Sequence, residues 1–88
     1  MIVSIIIRTL NEERYLYELL NEINKQKKNN FDIETVIIDS GSDDNTIEIA
    51  NSFNSKITYI KKNEFTFGRS LNLGSEFSSG DILVYISG

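Results

Sequence analysis

Val36-Ile37-Ile38-Asp39-Ser40-Gly41-Ser42-Asp43-Asp44 passes from an unbroken apolar run into six small or acidic residues. Residues 35–38 are continuous and β-branched, which is how a strand reads when both of its faces are covered. The strand then stops. An aspartate at such an end can accept hydrogen bonds from a base N–H or a ribose hydroxyl, and Gly41 lets the backbone turn away without a Cβ clash. The same residues also suit an Asx-turn and helix cap, so residue chemistry leaves both roles for Asp39 open.

Working outward, residues 2–7 are nearly all β-branched and apolar without alternation, again a strand between two helical layers. Thr9 and Glu12 have the spacing of a capping box, and Leu16, Leu19, Leu20 and Ile23 recur at helical intervals. That helix is expected to end in the Lys and Asn cluster at 25–30, where Lys25, Lys27 and Lys28 read as a solvated end favoured by the dipole. Asp43 or Asp44 can cap a second helix carrying Ile47, Ile49, Ala50 and Phe53, and residues 56–60 read as a short strand near the sheet edge. A third helix is expected over 67–77, with Gly74 inside it, followed by the turn Ser78-Ser79-Gly80-Asp81 and a fourth buried strand over 82–86. This alternation predicts an α/β, three-layer, Rossmann-like architecture with a mostly parallel sheet in the order 3-2-1-4. Ligands then sit at the carboxyl ends of the strands, where Arg8, Thr9 and Asn11 leave the first strand and Asp39 leaves the second.

Composition narrows the partners. With 40% hydrophobic and 25% charged residues the 88-residue chain is long enough for one small domain and too short for two. A net charge of −4 argues against nucleic acid or an anionic membrane as the main partner. The absence of cysteine excludes disulfides and zinc-thiolate sites, and without histidine any metal must be held by oxygen ligands, which suits magnesium, manganese or calcium. No apolar stretch approaches the ~18 residues of a membrane span, and residues 2–7 lack the flanks of a signal peptide, so a cytoplasmic location is expected. Neither G-x-G-x-x-G nor G-x-x-x-x-G-K-[ST] occurs, so a glycine-cradled phosphate is disfavoured and a diphosphate would need a cation.

Four ordered segments together match a known pattern: Ile5-Ile6-Ile7-Arg8-Thr9-Leu10-Asn11-Glu12-Glu13, Val36 through Thr46, Arg69-Ser70-Leu71-Asn72-Leu73-Gly74, and Ser79-Gly80-Asp81-Ile82-Leu83-Val84. In kind and spacing they resemble the N-terminal part of family 2 glycosyltransferases, which have the GT-A fold and use nucleotide-diphosphate sugars. The second segment resembles the V-D-D-G-S-x-D signature of that family.

The resemblance implies that residues 1–88 are the N-terminal nucleotide-binding portion of a GT-A domain. It implies that Thr9 borders the nucleotide base with Glu13 beside the same pocket, and that Asp39 binds the base, with a UDP- or dTDP-sugar favoured as partner. Asn11 and Gly41 belong to the same two loops and are included in the candidate nucleotide site. Ser40 stands where the family often has a second aspartate, and Asp44 matches the last signature aspartate, read as a helix cap. Leu71 occupies the place where the family usually has Arg or Lys, and Arg69, three residues before Asn72, is the candidate to pair with phosphate. Gly74 is assigned to close helix-to-sheet packing.

In the family the fourth strand runs into an Asp-x-Asp motif that holds a metal, magnesium or manganese, as a Lewis acid for the departing nucleotide. Ser87 falls where the first aspartate is expected, so the resemblance implies a metal for a longer parent and none for this chain. No catalytic residue is assigned, and transfer by this portion alone is not expected. The parent is read as transferring a sugar onto a polysaccharide or lipid-linked acceptor at the cytoplasmic membrane face. The competing readings are a non-catalytic α/β module that self-associates through an exposed sheet edge, and a different nucleotide or phosphoacceptor domain.

Overall fold

A computed structural model describes residues 1–26, 32–64 and 66–87. Four strands and three helices alternate: β1 (Ile2–Thr9), α1 (Glu13–Gln26), β2 (Asp32–Asp39), α2 (Thr46–Ser52), β3 (Lys56–Tyr59), α3 (Phe67–Phe77) and β4 (Ile82–Ser87), with a short 3-10 turn at Lys62–Glu64. The sheet has the order β3-β2-β1-β4 and all three pairings are parallel, as the alternation of elements predicts.

Two apolar layers follow from the period-2 alternation of the strands. One face carries Ile7 and Ile37, which pack with Leu16, Leu20 and Ile23 of α1 and Ala50 of α2. The other carries Ile6, Val36 and Ile38, which pack with Ile60 and with Leu73 of α3. Val36, Ile37 and Ile38 are 0% exposed, so β2 is buried on both faces, and this is why its sequence is continuous rather than alternating. α1 turns its stripe at positions 16, 20 and 23 inward and leaves Arg14, Glu18 and Glu22 on the solvent side.

Several local expectations are corrected. Thr9 does not cap α1: it is the last residue of β1, and its hydroxyl turns across the sheet to Asp39. The turn of α1 begins instead with the Glu12 carbonyl accepting from the Leu16 N–H at 2.7 Å. Asn45 is the N-cap of α2 and makes no side-chain cap bond, whereas Asp44 accepts from the Thr46 N–H at 2.9 Å, one residue earlier than the simplest cap. The fourth strand is not buried: β4 is an edge, with Ile82, Val84 and Tyr85 exposed, because α2 and α3 pack over β2 and β3 and leave β4 at the margin. Lys25 closes α1 beside Glu22, and Lys27 and Lys28 lie outside the described residues.

Gly74 meets its expected role. A Cβ at this position would stand 2.5 Å from Ile6 Cγ2, so α3 lies directly on the sheet. Gly74→Ala gains about 1 kcal/mol of helix propensity and loses about 1–3 kcal/mol to overpacking against Ile6. A net fall in stability is therefore expected in urea unfolding, and a variant more stable than the parent would show that α3 can move off the sheet without penalty.

Candidate nucleotide site at the carboxyl edge of the sheet

The parallel register sets Thr9 directly beside Asp39 at the carboxyl ends of β1 and β2. Asp39 is 1% exposed, and both of its oxygens are occupied by the chain itself. Oδ1 accepts from Thr9 Oγ1 at 2.7 Å and from Ser42 Oγ at 2.5 Å, while Oδ2 accepts from the N–H groups of Gly41 at 2.9 Å and Ser42 at 2.8 Å. A carboxylate offers about four acceptor positions, so these bonds saturate it. Burial pushes the Asp39 carboxyl up, but the hydroxyl and N–H of Ser42, the Thr9 hydroxyl and the Gly41 N–H outweigh it and hold the group below the usual aspartate value. Gly41 has φ +107°, a conformation that a side chain would strain, and this lets two successive N–H groups turn back onto Asp39.

The same turn stitches the loop after β1 to the loop after β2. Asn11 adopts φ 51°, which asparagine tolerates better than most residues. Its N–H donates to Ser42 Oγ at 2.9 Å, and its Oδ1 accepts from the Asp43 N–H at 2.9 Å. A second stitch lies behind the first, where the Glu12 N–H donates to Thr46 Oγ1 at 3.0 Å and the Glu13 N–H to Asp44 Oδ2 at 3.3 Å. Thr46 Oγ1 in turn donates to Asp44. Desolvation pushes the Asp44 carboxyl up, and the bonds from Thr46 and Glu13 more than offset it.

The structure thus brings Thr9, Asn11, Asp39 and Gly41 into one network and joins Glu13 to it through the backbone. The Glu13 side chain lies on the other flank, bordering a hollow with Tyr17 and Ile49 between α1 and α2. Arg69 comes from α3. It lines a cleft of about 480 Å³ between β3 and α3 with Tyr59, Lys61, Asn72 and Glu76. The two regions adjoin, because the Ile60 N–H, also on the cleft wall, donates to the Asp39 carbonyl at 2.9 Å.

Sequence reasoning missed Ser42 and Thr46 as connecting residues. Ser42 had a signal, since a hydroxyl three residues after a turn-forming aspartate is placed to reach it; Thr46, bonded across 34 positions, had none. The Lys62 side chain passes close to the same turn, with its Cε 4.0 Å from where a Gly41 Cβ would be. Among the described residues no group of three His, Cys, Asp or Glu is arranged to hold a metal ion. Asp39 and Asp44 direct their oxygens to N–H and O–H donors instead, so these residues do not fit a cation.

Residues 4–87 match the family model described as glycosyl transferase family 2. The chain belongs to this family. An abequosyltransferase of Salmonella typhimurium is 42% identical over 80 residues, covering 86% of this chain and 22% of its own length. The poly(ribitol-phosphate) β-N-acetylglucosaminyltransferase TarS of Staphylococcus aureus is 30% identical over 87 residues, covering 94% of this chain and 15% of its own. The crystal structure of S. aureus TarS superposes with a TM-score of 0.79 at 28% identity, over 99% of this chain and 16% of that one. Glucosyl-3-phosphoglycerate synthase of Mycobacterium tuberculosis, in complex with Mn²⁺, UDP and glucosyl-3-phosphoglycerate, gives 0.71 at 26% identity, over 97% and 32% of the two chains. The family 2 chain described here therefore has a GT-A type α/β fold and spans less than a third of the length of each of these proteins.

Removing the Asp39 carboxylate strands four donors in a buried turn. Asp39→Ala is expected to lower stability by about 2–4 kcal/mol at neutral pH. Because the folded Asp39 titrates below its ordinary value of 3.8, its contribution is complete above that pH and is lost as the pH falls through the folded value. The gap between parent and variant in urea unfolding should close on acidification, and a gap that persists unchanged at low pH would mean the loss comes from packing alone.

Proposed function

We propose that this chain is the donor-binding portion of a glycosyltransferase that takes a sugar from a nucleotide diphosphate, with the nucleotide seated at the carboxyl edge of the sheet. The observation that carries the reading is the stitched pair of loops after β1 and β2, joined and braced by a network of hydrogen bonds, four of them ending on Asp39. Such a preorganised edge at the switch point of a parallel sheet is where ligands bind in open α/β folds. Family membership and the UDP complex of the mycobacterial synthase support the nucleotide class.

Thr9, Asn11, Glu13, Asp39, Gly41 and Arg69 are the residues assigned to this site, in different roles. Asp39 acts chiefly as the brace that holds the two loops at a fixed spacing, since its own acceptor positions are filled. Asn11 and Gly41 are exposed and form the rim, and Arg69, in the adjoining cleft, supplies a bidentate cation toward phosphate. A UDP- or dTDP-sugar is the favoured donor, and the whole protein is read as acting on a polysaccharide or lipid-linked acceptor at the cytoplasmic face of a membrane. No helix among the described residues is long and apolar enough to cross one. A magnesium or manganese ion, when bound in the whole protein, would supply Lewis acidity to the leaving diphosphate. This portion is expected to bind the donor without turning it over.

A second reading has its own observation. β4 offers an edge without a single charged residue, and Ile82, Val84 and Tyr85 are exposed along it, which suits pairing with another copy. Calorimetric titration with UDP, dTDP, GDP and uridine, alongside sedimentation, separates the two. The donor reading expects UDP or dTDP to bind, uridine to bind more weakly, and Arg69→Gln to weaken UDP by about tenfold with little effect on uridine. A stable dimer that responds to no nucleotide would overturn it in favour of association.

A further inference from the structure

The apolar pattern of β4 selects its register only weakly. Ile82 and Val84 point to one face and Tyr85 to the other, and they are 46%, 39% and 38% exposed. A one-residue slip exchanges the two faces of a strand. In β2 that would drag Val36, Ile37 and Ile38 out of complete burial, whereas in β4 it would displace only the partly buried Leu83 and Ile86 and exchange the exposed Ile82, Val84 and Tyr85 between faces. Burial aligns β2 firmly and β4 only weakly, through Leu83, Ile86 and the Tyr85 hydroxyl that donates to the Leu71 carbonyl at 3.3 Å.

A polar clamp lies where β4 begins, at the end of the sheet opposite the nucleotide edge. Glu34, from the amino end of β2, accepts from Ser4 Oγ of β1 at 2.5 Å, from the Ser79 N–H at 2.6 Å and from Ser79 Oγ at 3.1 Å. Its Oε1 lies 2.8 Å from Lys56 Nζ of β3, and that ammonium also donates to the Phe77 carbonyl at 3.4 Å. One residue group thus gathers β1, β2, β3 and the connection from α3 to β4. Beside it, the Asp81 N–H donates to the Ile2 carbonyl at 2.8 Å and the Ile2 N–H to Asp81 Oδ2 at 3.0 Å. Gly80 closes the space between: a Cβ there would stand 2.3 Å from Ser4 Oγ and 2.8 Å from Ser4 N. Glu34 is 17% exposed. Partial burial pushes its carboxyl up, but the bonds from Lys56, Ser4 and Ser79 prevail and hold it at about 2, so it is ionised throughout the neutral range.

We propose that Glu34 is a positioning residue: together with Lys56 and Ser79 it sets the register of β4 against β1, and so places Ser87 opposite Arg8 at the nucleotide edge. The ladder it fixes runs from Val3 beside Ile82 to Arg8 beside Ser87. The register claim stands on the clamp alone, while its importance for donor binding rests on the donor-site reading above.

The test uses the 88-residue chain and the variants Glu34→Gln, Lys56→Gln and Lys56→Arg, with amide hydrogen exchange and cross-strand contacts between β1 and β4 read by NMR. Gln removes the charge at either position, keeping the shape of Glu34 and shortening Lys56; Arg keeps the cation. Both Gln variants should exchange about tenfold faster across 82–86 while β2 and α1 change less than about twofold, with a second set of β4 signals from the slipped strand. Lys56→Arg should match the parent. Equal acceleration in all four strands would reduce Glu34 to a general stabiliser and overturn the proposal, as would a β4 indistinguishable from the parent in both Gln variants. Failure of UDP to bind the parent chain in the same samples would sink the donor reading and leave the register result standing.

Discussion

Thr9 and Asp39 meet because β1 and β2 run parallel in one register, and most of what is distinctive here depends on that meeting. A parallel pair places both strand ends on the same side of the sheet, so the loops that follow leave together and can be tied to each other. The buried carboxylate of Asp39 would be costly if left alone. Its four donors come from the end of β1 and from the turn after β2, so satisfying the charge also sets the geometry of both loops.

Both ends of the sheet use the same device for different purposes. At the carboxyl edge a shielded carboxylate organises exposed loops, and at the amino edge Glu34 gathers strand entries that packing holds loosely. Between them the core is ordinary close packing of Ile, Leu and Val on two faces. Polar groups specify position where apolar burial is equivocal, and apolar burial specifies it where polar groups are absent.

The elements of the fold were legible in the sequence because each has a period that burial enforces. Helical spacing at 16, 20 and 23 and the unbroken runs of β1 and β2 report which surfaces must be covered, and the predicted limits of α3 agree with those observed. β4 was misjudged for the same reason, since an apolar run states what a strand would bury and not whether a helix lies over it. The family and the carboxyl edge were legible through four short ordered segments. The bonding of Asp39 was not, because a strand-end aspartate reads alike whether it faces a ligand or its own turn.

The order of strand and helix, the sheet order and the family were thus determined by the sequence alone, through local periodicity and short spacings. Only the tertiary structure decided which donors fill Asp39, that Thr9 serves the sheet rather than the helix, that Arg69 stands in a neighbouring cleft, and that Glu34 reaches Ser79. The Thr9–Asp39 and Glu34–Ser79 bonds and the seating of Arg69 join residues far apart in the chain, and such contacts depend on strand register and helix seating, which no local pattern encodes.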